Sequence, residues 1–344
     1  MKIVVTGGAG FIGSHVAESY ARQGHEVVVV DNLARAALLK RKISEDQNWS
    51  YLSKIKGIQL LRKDVRDPKV MENAAKGADV ILHAAAQTAV TTSLVDPATD
   101  FSSNAIGTFN TLEAARKADV KAVLYCSTNK VYGDNVNSVG VKEGKQRYTF
   151  EKNFEKGIPE SFSIDHCEHT PYGCSKLTGD LYMQDFGRIY GLRTGVFRMS
   201  CIYGTRQFGV EDQGWLAWFA IATILKKPIT LYGDGKQVRD VLFIDDLIAL
   251  YDKFVKSKVK HGVWNIGGGP KFTLSLLELL DHLKGITGKQ SPLSYSDWRA
   301  SDQKVYVSDI RKAMDTFGWA PKIAPEEGIR RLVAWIQENK ARLG

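Results

Sequence analysis

Cysteine is scarce in this chain: four in 344 residues, at positions 126, 167, 174 and 201, with no Cys-x-x-Cys pair. That excludes a disulfide-stapled scaffold and the common zinc patterns. His166, Cys167, His169 and Cys174 lie close together, but at no spacing that zinc sites use, so they are taken as thiols and polar loop residues and no metal is expected. No apolar run approaches the roughly 18 residues of a membrane helix. Gly7 and Gly8 cut short the apolar stretch at the N-terminus, which argues against a secretory leader. A reducing, cytoplasmic location without a membrane partner is expected. Prolines number nine, and there is neither an internal repeat nor a low-complexity linker. Arginine-rich blocks and interleaved basic–aromatic patterns are missing too. The net charge of +9 is scattered, with mild clusters at Lys40-Arg41-Lys42 and from Lys253 to Lys260. Such a charge attracts anions, and its spread favours a phosphorylated small molecule over nucleic acid.

What is present is the composition of a globular protein, 44% hydrophobic and 25% charged, long enough for one large or two moderate domains. Lys2 to Thr6 is a β-branched run. Gly7-Gly8-Ala9-Gly10-Phe11-Ile12-Gly13 follows, then a helical pattern with Ile12, Val16 and Tyr20 on one face, then an apolar run from Glu26 to Val30 that ends in Asp31. Strand, glycine loop, helix and a strand closing on a carboxylate are the parts of a dinucleotide-binding unit. Glycines 7, 10 and 13 meet three needs: a tight turn, backbone N–H groups open to a pyrophosphate, and a helix packed close on its strand. Asp31 can bond the hydroxyls of an adenine ribose and would repel a 2′-phosphate, which favours NAD over NADP, although Arg35 is near. Phe11 and Ile12 in the loop, Asn32, and Asp64-Val65 after a third strand (Ile58 to Leu61) complete the adenosine side.

Further strands are read at Val80 to His83, Lys121 to Cys126 and Arg193 to Met199, and a long helix carrying Asn104 from Asp96 to Ala118. Ligands of open parallel sheets bind at the strands' carboxyl ends, so Ala84, Ala85, Gln87, Ser127 and Met199 are assigned to the cofactor, and Asn104 on its helix is assigned with them. Asp134 to His169 reads as a long polar loop, suited to a flap over a substrate. Beyond Met199 the alternation loosens, with helical patterns at Trp215 to Leu225, Leu274 to Leu283, Ser308 to Phe317 and Pro325 to Leu343. The expected architecture is α/β: a doubly wound, Rossmann-type parallel sheet from residues 1–198 with 234–262, and a smaller mixed α/β substrate domain from 199–233 with 263–344.

Tyr172-Gly173-Cys174-Ser175-Lys176 opens another helical run. Positions i and i+4 share a helix face, which puts the Lys176 ammonium beside the Tyr172 phenol. A free tyrosine, with a pKa of about 10, is a poor base at neutral pH, and bringing it near 7 takes about 4 kcal/mol. One cation at about 4 Å and an effective dielectric near 20 supplies about that much. The expected role is proton acceptor for a sugar or alcohol hydroxyl.

Together, Gly7, Gly10, Gly13, Asp31, Thr128, Tyr172 and Lys176 resemble the extended branch of the short-chain dehydrogenase/reductase superfamily, over essentially the whole chain. The resemblance implies NAD as cofactor, Tyr172 as base and acid, Thr128 on the reacting hydroxyl, and Lys176 also on the nicotinamide ribose. It implies a nucleotide-sugar substrate whose diphosphate is held by Arg239 and Arg299, with Arg206 as a third, arginine's planar fork of donors being suited to this. It also implies a homodimer formed through the Asp96 to Ala118 and Tyr172 helices. Asn129-Lys130 stand where the family's 4,6-dehydratases carry Asp-Glu, and Cys201 stands where its 4-epimerases carry asparagine. The run from Arg198 to Trp215, with Cys201, Arg206, Gln207 and Glu211, is similar to that of the CDP-paratose (CDP-tyvelose) 2-epimerase family, which implies C2 epimerisation of a CDP-hexose. The other readings are a 4-epimerase, a dehydrogenase or reductase of the same family, and a non-catalytic dinucleotide sensor. Cytosine presents an amino donor where uracil presents an acceptor, and Glu211 or Asp212 suits that donor.

Overall fold

The structure, a computed structural model, describes residues 1–35, 46–299 and 301–343; the basic cluster Lys40-Arg41-Lys42 lies outside them. Seven runs form one sheet: β1 (Lys2–Thr6), β2 (Glu26–Asp31), β3 (Ile58–Arg62), β4 (Val80–His83), β5 (Ala122–Thr128), β6 (Thr194–Met199) and β7 (His261–Ile266). Their spatial order is β7-β6-β5-β4-β1-β2-β3. β1 pairs in parallel with β2 and β4, β2 with β3, and β4 with β5. Ile3 to Val5 and Val27 to Val30 are buried, as strands covered on both faces require. The chain runs outward from β1 to β3 and then crosses to β4 on the other side of β1. That reversal is the switch point at which doubly wound sheets open a crevice beyond the strands' carboxyl ends.

The helix Phe11–Arg22 begins from Gly10, which is extended and gives no side-chain cap, so its first-turn N–H groups are open to an anion. The predicted Asp96 to Ala118 helix is broken. Pro97–Phe101, capped by Asp96 accepting from the Thr99 N–H at 3.0 Å, runs into a π-helical turn, Ser102–Ile106, before Gly107–Lys117 resumes α geometry. π turns recur at functional positions, and Asn104 lies inside this one. A short helix, Val90–Val95, was not anticipated.

The chain divides into two compact units. The first comprises Met1–Thr128, Pro171–Phe197 and Leu250–Val263; the second comprises Asn129–Thr170, Arg198–Ala249 and Trp264–Gly344. The division differs from the expected one at residues 129–170 and 234–249, which pack with the second unit. Strand pairing is the reason. Val238–Phe243 is the central strand of that unit, parallel to Cys201–Tyr203 and Val305–Tyr306 and antiparallel to Thr273–Ser275. The expected flap, Asp134 to His169, is instead ordered structure. It continues the 3-10 run Asn129–Ser138, forms the hairpin Val141–Glu143/Tyr148–Phe150, and bonds the Tyr148 N–H to the Lys236 carbonyl at 3.0 Å. Leu276–Thr287 starts two residues later than read because Thr273–Ser275 is drawn into the sheet, and Ser275 with Glu278 then forms a capping box. Among the described residues no helix is long and apolar enough to cross a membrane.

Candidate active site

In the first unit the glycine loop is a cradle with no room for side chains. Gly7 has φ +68°, and a Cβ there would lie 2.5 Å from the Ala85 nitrogen; one on Gly13 would lie 2.3 Å from the Gly7 carbonyl oxygen. The loop therefore comes into close backbone approach with Ala84 and Ala85 as well as with its own helix. Small residues after β4 serve packing, and they also leave backbone exposed for a ligand. Phe11 and Ile12 stand half-buried at the helix start.

Asp31 closes β2. One of its oxygens accepts from the Ala9 N–H at 2.9 Å and the other from the Leu33 N–H at 2.8 Å, which leaves lone pairs for two ribose hydroxyls. Beside it, the Asn32 amide donates to Asp64 at 2.8 Å, and Arg66 grips the same carboxylate at 2.7 Å. Burial pushes the Asp64 carboxyl up, but those hydrogen bonds outweigh it and leave a pKa of about 2. Val65 is buried against Gly107. A glycine cradle, an uncapped helix start and a carboxylate with free lone pairs fit the pyrophosphate and adenine ribose of NAD.

Burial raises the Asp31 carboxyl to about 6, against the pull of its two backbone donors. It is therefore ionised at neutral pH and protonates just below. NAD affinity is expected to fall as pH drops through about 6, and Asp31→Asn is expected to bind weakly without that step. Calorimetric titration between about pH 5 and 8 checks this.

Tyr172 and Lys176 lie on one helix, Thr170–Ile189, which starts earlier than the sequence suggested. Lys176 is buried and Tyr172 half-buried, and the Tyr172 phenol is hydrogen-bonded to Thr128 at the end of β5. The expected pKa near 7 is not met. Burial drives the phenol up to about 12, with Thr128 pulling it down only in part. Lys176 is also lowered, to about 8, by burial, and its ammonium rests 4.1 Å over the Tyr125 ring. Coulomb attraction alone overestimates the pair, because the same burial that strengthens it also desolvates both partners.

Around the pair is a polar network that the sequence shows only in part. The Asn104 amide donates to the Gln87 carbonyl at 3.0 Å and to Ser175 Oγ at 3.0 Å, while its oxygen accepts from the Gln87 N–H at 2.8 Å. Asp100 receives the Ser175 hydroxyl at 2.5 Å. Ser127 Oγ donates to Asp180 at 2.8 Å. Asp100, Ser175 and Asp180 escaped the sequence reading, though Asp180 continues the i, i+4 row Tyr172–Lys176. His83, bonded to Thr6 at 2.6 Å and Thr108 at 2.9 Å, is driven down to about 3 by burial and stays neutral.

The second unit holds the cationic candidates. The Arg239 Nη2 donates to Asp302 at 2.6 Å, a partner the sequence did not reveal. Lys130 donates to the Ser301 carbonyl at 3.2 Å; burial lowers it to about 8, against the attraction of Asp302. Arg299 pairs with Asp212 at 2.8 Å and stacks 4.0 Å from the Tyr232 ring, whose hydroxyl donates to Glu211 at 3.2 Å. Arg299, Glu211 and Asp212 thus meet around one aromatic face. Arg206 is held at φ +57°. The Gln207 Nε2 donates to the Ile202 carbonyl at 3.3 Å, and its buried Oε1 has no partner among the described residues. Cys201, raised to about 12 by burial, is a neutral thiol hydrogen-bonded with Trp215. Met199 is buried at the end of β6.

Residues 3–267 match the NAD dependent epimerase/dehydratase family. CDP-paratose 2-epimerase of Salmonella typhi is 38% identical over 97% of this chain and 99% of its own. A putative UDP-glucose 4-epimerase of Methanocaldococcus jannaschii is 30% identical over 98% and 99%. The crystal structure of Thermotoga maritima UDP-glucose 4-epimerase with UDP-glucose superposes with a TM-score of 0.82 at 31% identity, covering 99% of this chain and 100% of that one. The Thermus thermophilus UDP-glucose 4-epimerase in complex with NAD gives 0.80 at 30% identity, covering 98% and 99%. On these matches, and on the glycine cradle, Asp31 and the Thr128–Tyr172–Lys176 cluster, the chain belongs to the NAD dependent epimerase/dehydratase family of nucleotide-sugar enzymes, the extended short-chain dehydrogenase/reductases.

Proposed function

We propose that the protein epimerises a CDP-hexose at C2, as in the interconversion of CDP-paratose and CDP-tyvelose. The end-to-end 38% identity to a CDP-paratose 2-epimerase, with the Tyr172–Lys176 turn intact, carries this reading. If bound, NAD would supply the oxidising power for transient hydride removal at the sugar carbon and its return, and a positive charge that favours the phenolate form. Thr128 bonds the C2 hydroxyl and Tyr172 takes its proton, then gives it back after the sugar has turned. Lys176 holds the nicotinamide ribose and stabilises the phenolate. Arg239 and Arg299, with Arg206, hold the diphosphate, so that the nucleotide is gripped while the hexose is free to reorient. Glu211 or Asp212 accepts from the cytosine amino group, and the unpartnered Gln207 oxygen is a further acceptor.

Incubation with a panel of CDP-, UDP- and GDP-hexoses, with NMR assignment of the product stereocentre, tests the substrate. Substrate deuterated at C2 is expected to keep its label in the product; exchange with solvent would place the chemistry at another carbon. A 4-epimerase is the second reading, favoured by the relatives that carry that name; inversion at C4 of a UDP-hexose in the same panel would establish it. Steady release of NADH would instead indicate a dehydrogenase.

We also propose a cytoplasmic homodimer. Phe109, Leu181, Tyr182 and Ile189 are exposed on the Gly107–Lys117 and Thr170–Ile189 helices, with Tyr190 exposed just past the second, an apolar face of the sort that self-association covers.

A further inference from the structure

Two carboxylates are buried against the Tyr172–Lys176 turn, and neither has a part in the chemistry above. Asp100 and Asp180 are both fully buried. Asp100 accepts from the Gln87 amide at 3.2 Å, from the Asn104 amide at 3.2 Å and from the Ser175 hydroxyl at 2.5 Å. Each of those bonds is donated to it, as an ionised carboxylate requires. Ser175 lies between Tyr172 and Lys176 in the chain, so the contact is to the turn itself. Asp180 accepts from Ser127, the residue before Thr128, at 2.8 Å and from Gln184 at 2.7 Å. One helix turn beyond Lys176, it completes the row Tyr172–Lys176–Asp180 on one face.

We propose that Asp100 and Asp180 are positioning residues that set the charge state of the Tyr172–Lys176 pair, Asp100 acting on both members and Asp180 on Lys176. The proposal rests on the reading of Tyr172 as the proton acceptor. The groups facing Lys176 are Tyr125 and Cys126 from β5, neutral His83 from β4, Asp100 from the helix Pro97–Phe101, and Asp180 on its own helix. Those facing Tyr172 are Thr128, Cys126 and Tyr125 from β5, and Asp100. Of these groups the two aspartates carry the negative charge, since burial pushes the Cys126 thiol up and favours its neutral form. Both aspartates favour the ammonium form of Lys176, and Asp100 also disfavours the phenolate of Tyr172. Asp100 therefore keeps the phenol protonated until a further cation arrives, and the two acids keep the lysine charged where burial would discharge it.

The test uses the full chain loaded with NAD. Tyrosinate absorbance at about 295 nm, wild type minus Tyr172→Phe, reports the phenol directly and needs no sugar. Asp100→Asn is expected to move that midpoint down by about one pH unit, and Asp180→Asn to leave it in place. In pH–rate profiles both variants are expected to move the alkaline limb, where Lys176 loses its proton, toward lower pH. Unmoved midpoint and limbs in folded variants, or activity lost equally at every pH, would overturn the proposal and leave the aspartates as structural braces. If Asp100→Asn does not fold, the Asp180→Asn limb decides its half, and Asp100→Ser, which removes the charge with a smaller polar side chain, decides the other through the midpoint. Should no sugar turn over, the functional reading fails, while the absorbance measurement still judges the inference.

Discussion

Tyr172→Phe is expected to lower kcat by about 10³-fold, within the range that a positioned acid–base group contributes, while NAD stays bound and the fold is kept. The substitution removes one oxygen from a half-buried side chain and leaves the ring to pack as before. Thr128 loses its phenolic partner but remains within a strand that is buried along its length. The size of the effect follows from the task. With its pKa held up at about 12, the phenol needs about 7 kcal/mol to act as a base near pH 7, and no nearby side chain among the described residues of the first unit replaces it as acceptor: Asp100 and Asp180 are occupied by donors, and His83 is locked between Thr6 and Thr108. Steady-state kinetics with the sugar identified from the panel, alongside NAD content of the purified variant, makes the check. A variant retaining more than about a tenth of the wild-type rate would remove Tyr172 from the mechanism.

Gly13→Ala is expected to strip the protein of NAD and to weaken it by about 1–3 kcal/mol, the usual cost of forcing atoms into a filled space. The added methyl would sit 2.3 Å from the Gly7 carbonyl oxygen and 2.8 Å from the Gly8 Cα. Both are backbone atoms, so relief requires the whole glycine loop to move. Gly285→Ala is the internal control. Gly285 lies in the helix Leu276–Thr287 with open space around it, and alanine there is expected to be neutral or stabilising by about 0.5–1 kcal/mol. Thermal melts and NAD affinity of the two variants, measured together, separate a loop effect from a general intolerance of alanine.

The parts of this architecture written in short, contiguous signals were legible. β1, the glycine loop, β2 and its terminal Asp31 follow from β-branched runs and glycine spacing alone, and the helical row of Tyr172 and Lys176 follows from a spacing of four. What could not be read depends on partners distant in sequence. Asp302 meets Arg239 across 63 positions and Asp100 meets Ser175 across 75, and no local pattern announces either. The polar stretch from Asp134 to His169 is ordered by partners distant in sequence: the Tyr148 N–H bonds the Lys236 carbonyl, and the Tyr148 hydroxyl donates to Asp234 at 2.5 Å. The pKa of Tyr172 is not legible for a related reason: spacing reveals a neighbouring charge but not the desolvation of both groups.

The π-helical turn at Ser102–Ile106 fixes the rotational phase between the two α-helical halves that flank it. A regular helix advances about 100° per residue, so excising a single residue there would restore ordinary hydrogen bonding and swing everything upstream by that angle. Asp100 would then point away from Ser175 even though every side chain in the network was still present in the sequence. Aligning relatives by composition alone would miss such a lesion, whereas counting the residues between Asp100 and Asn110 would find it.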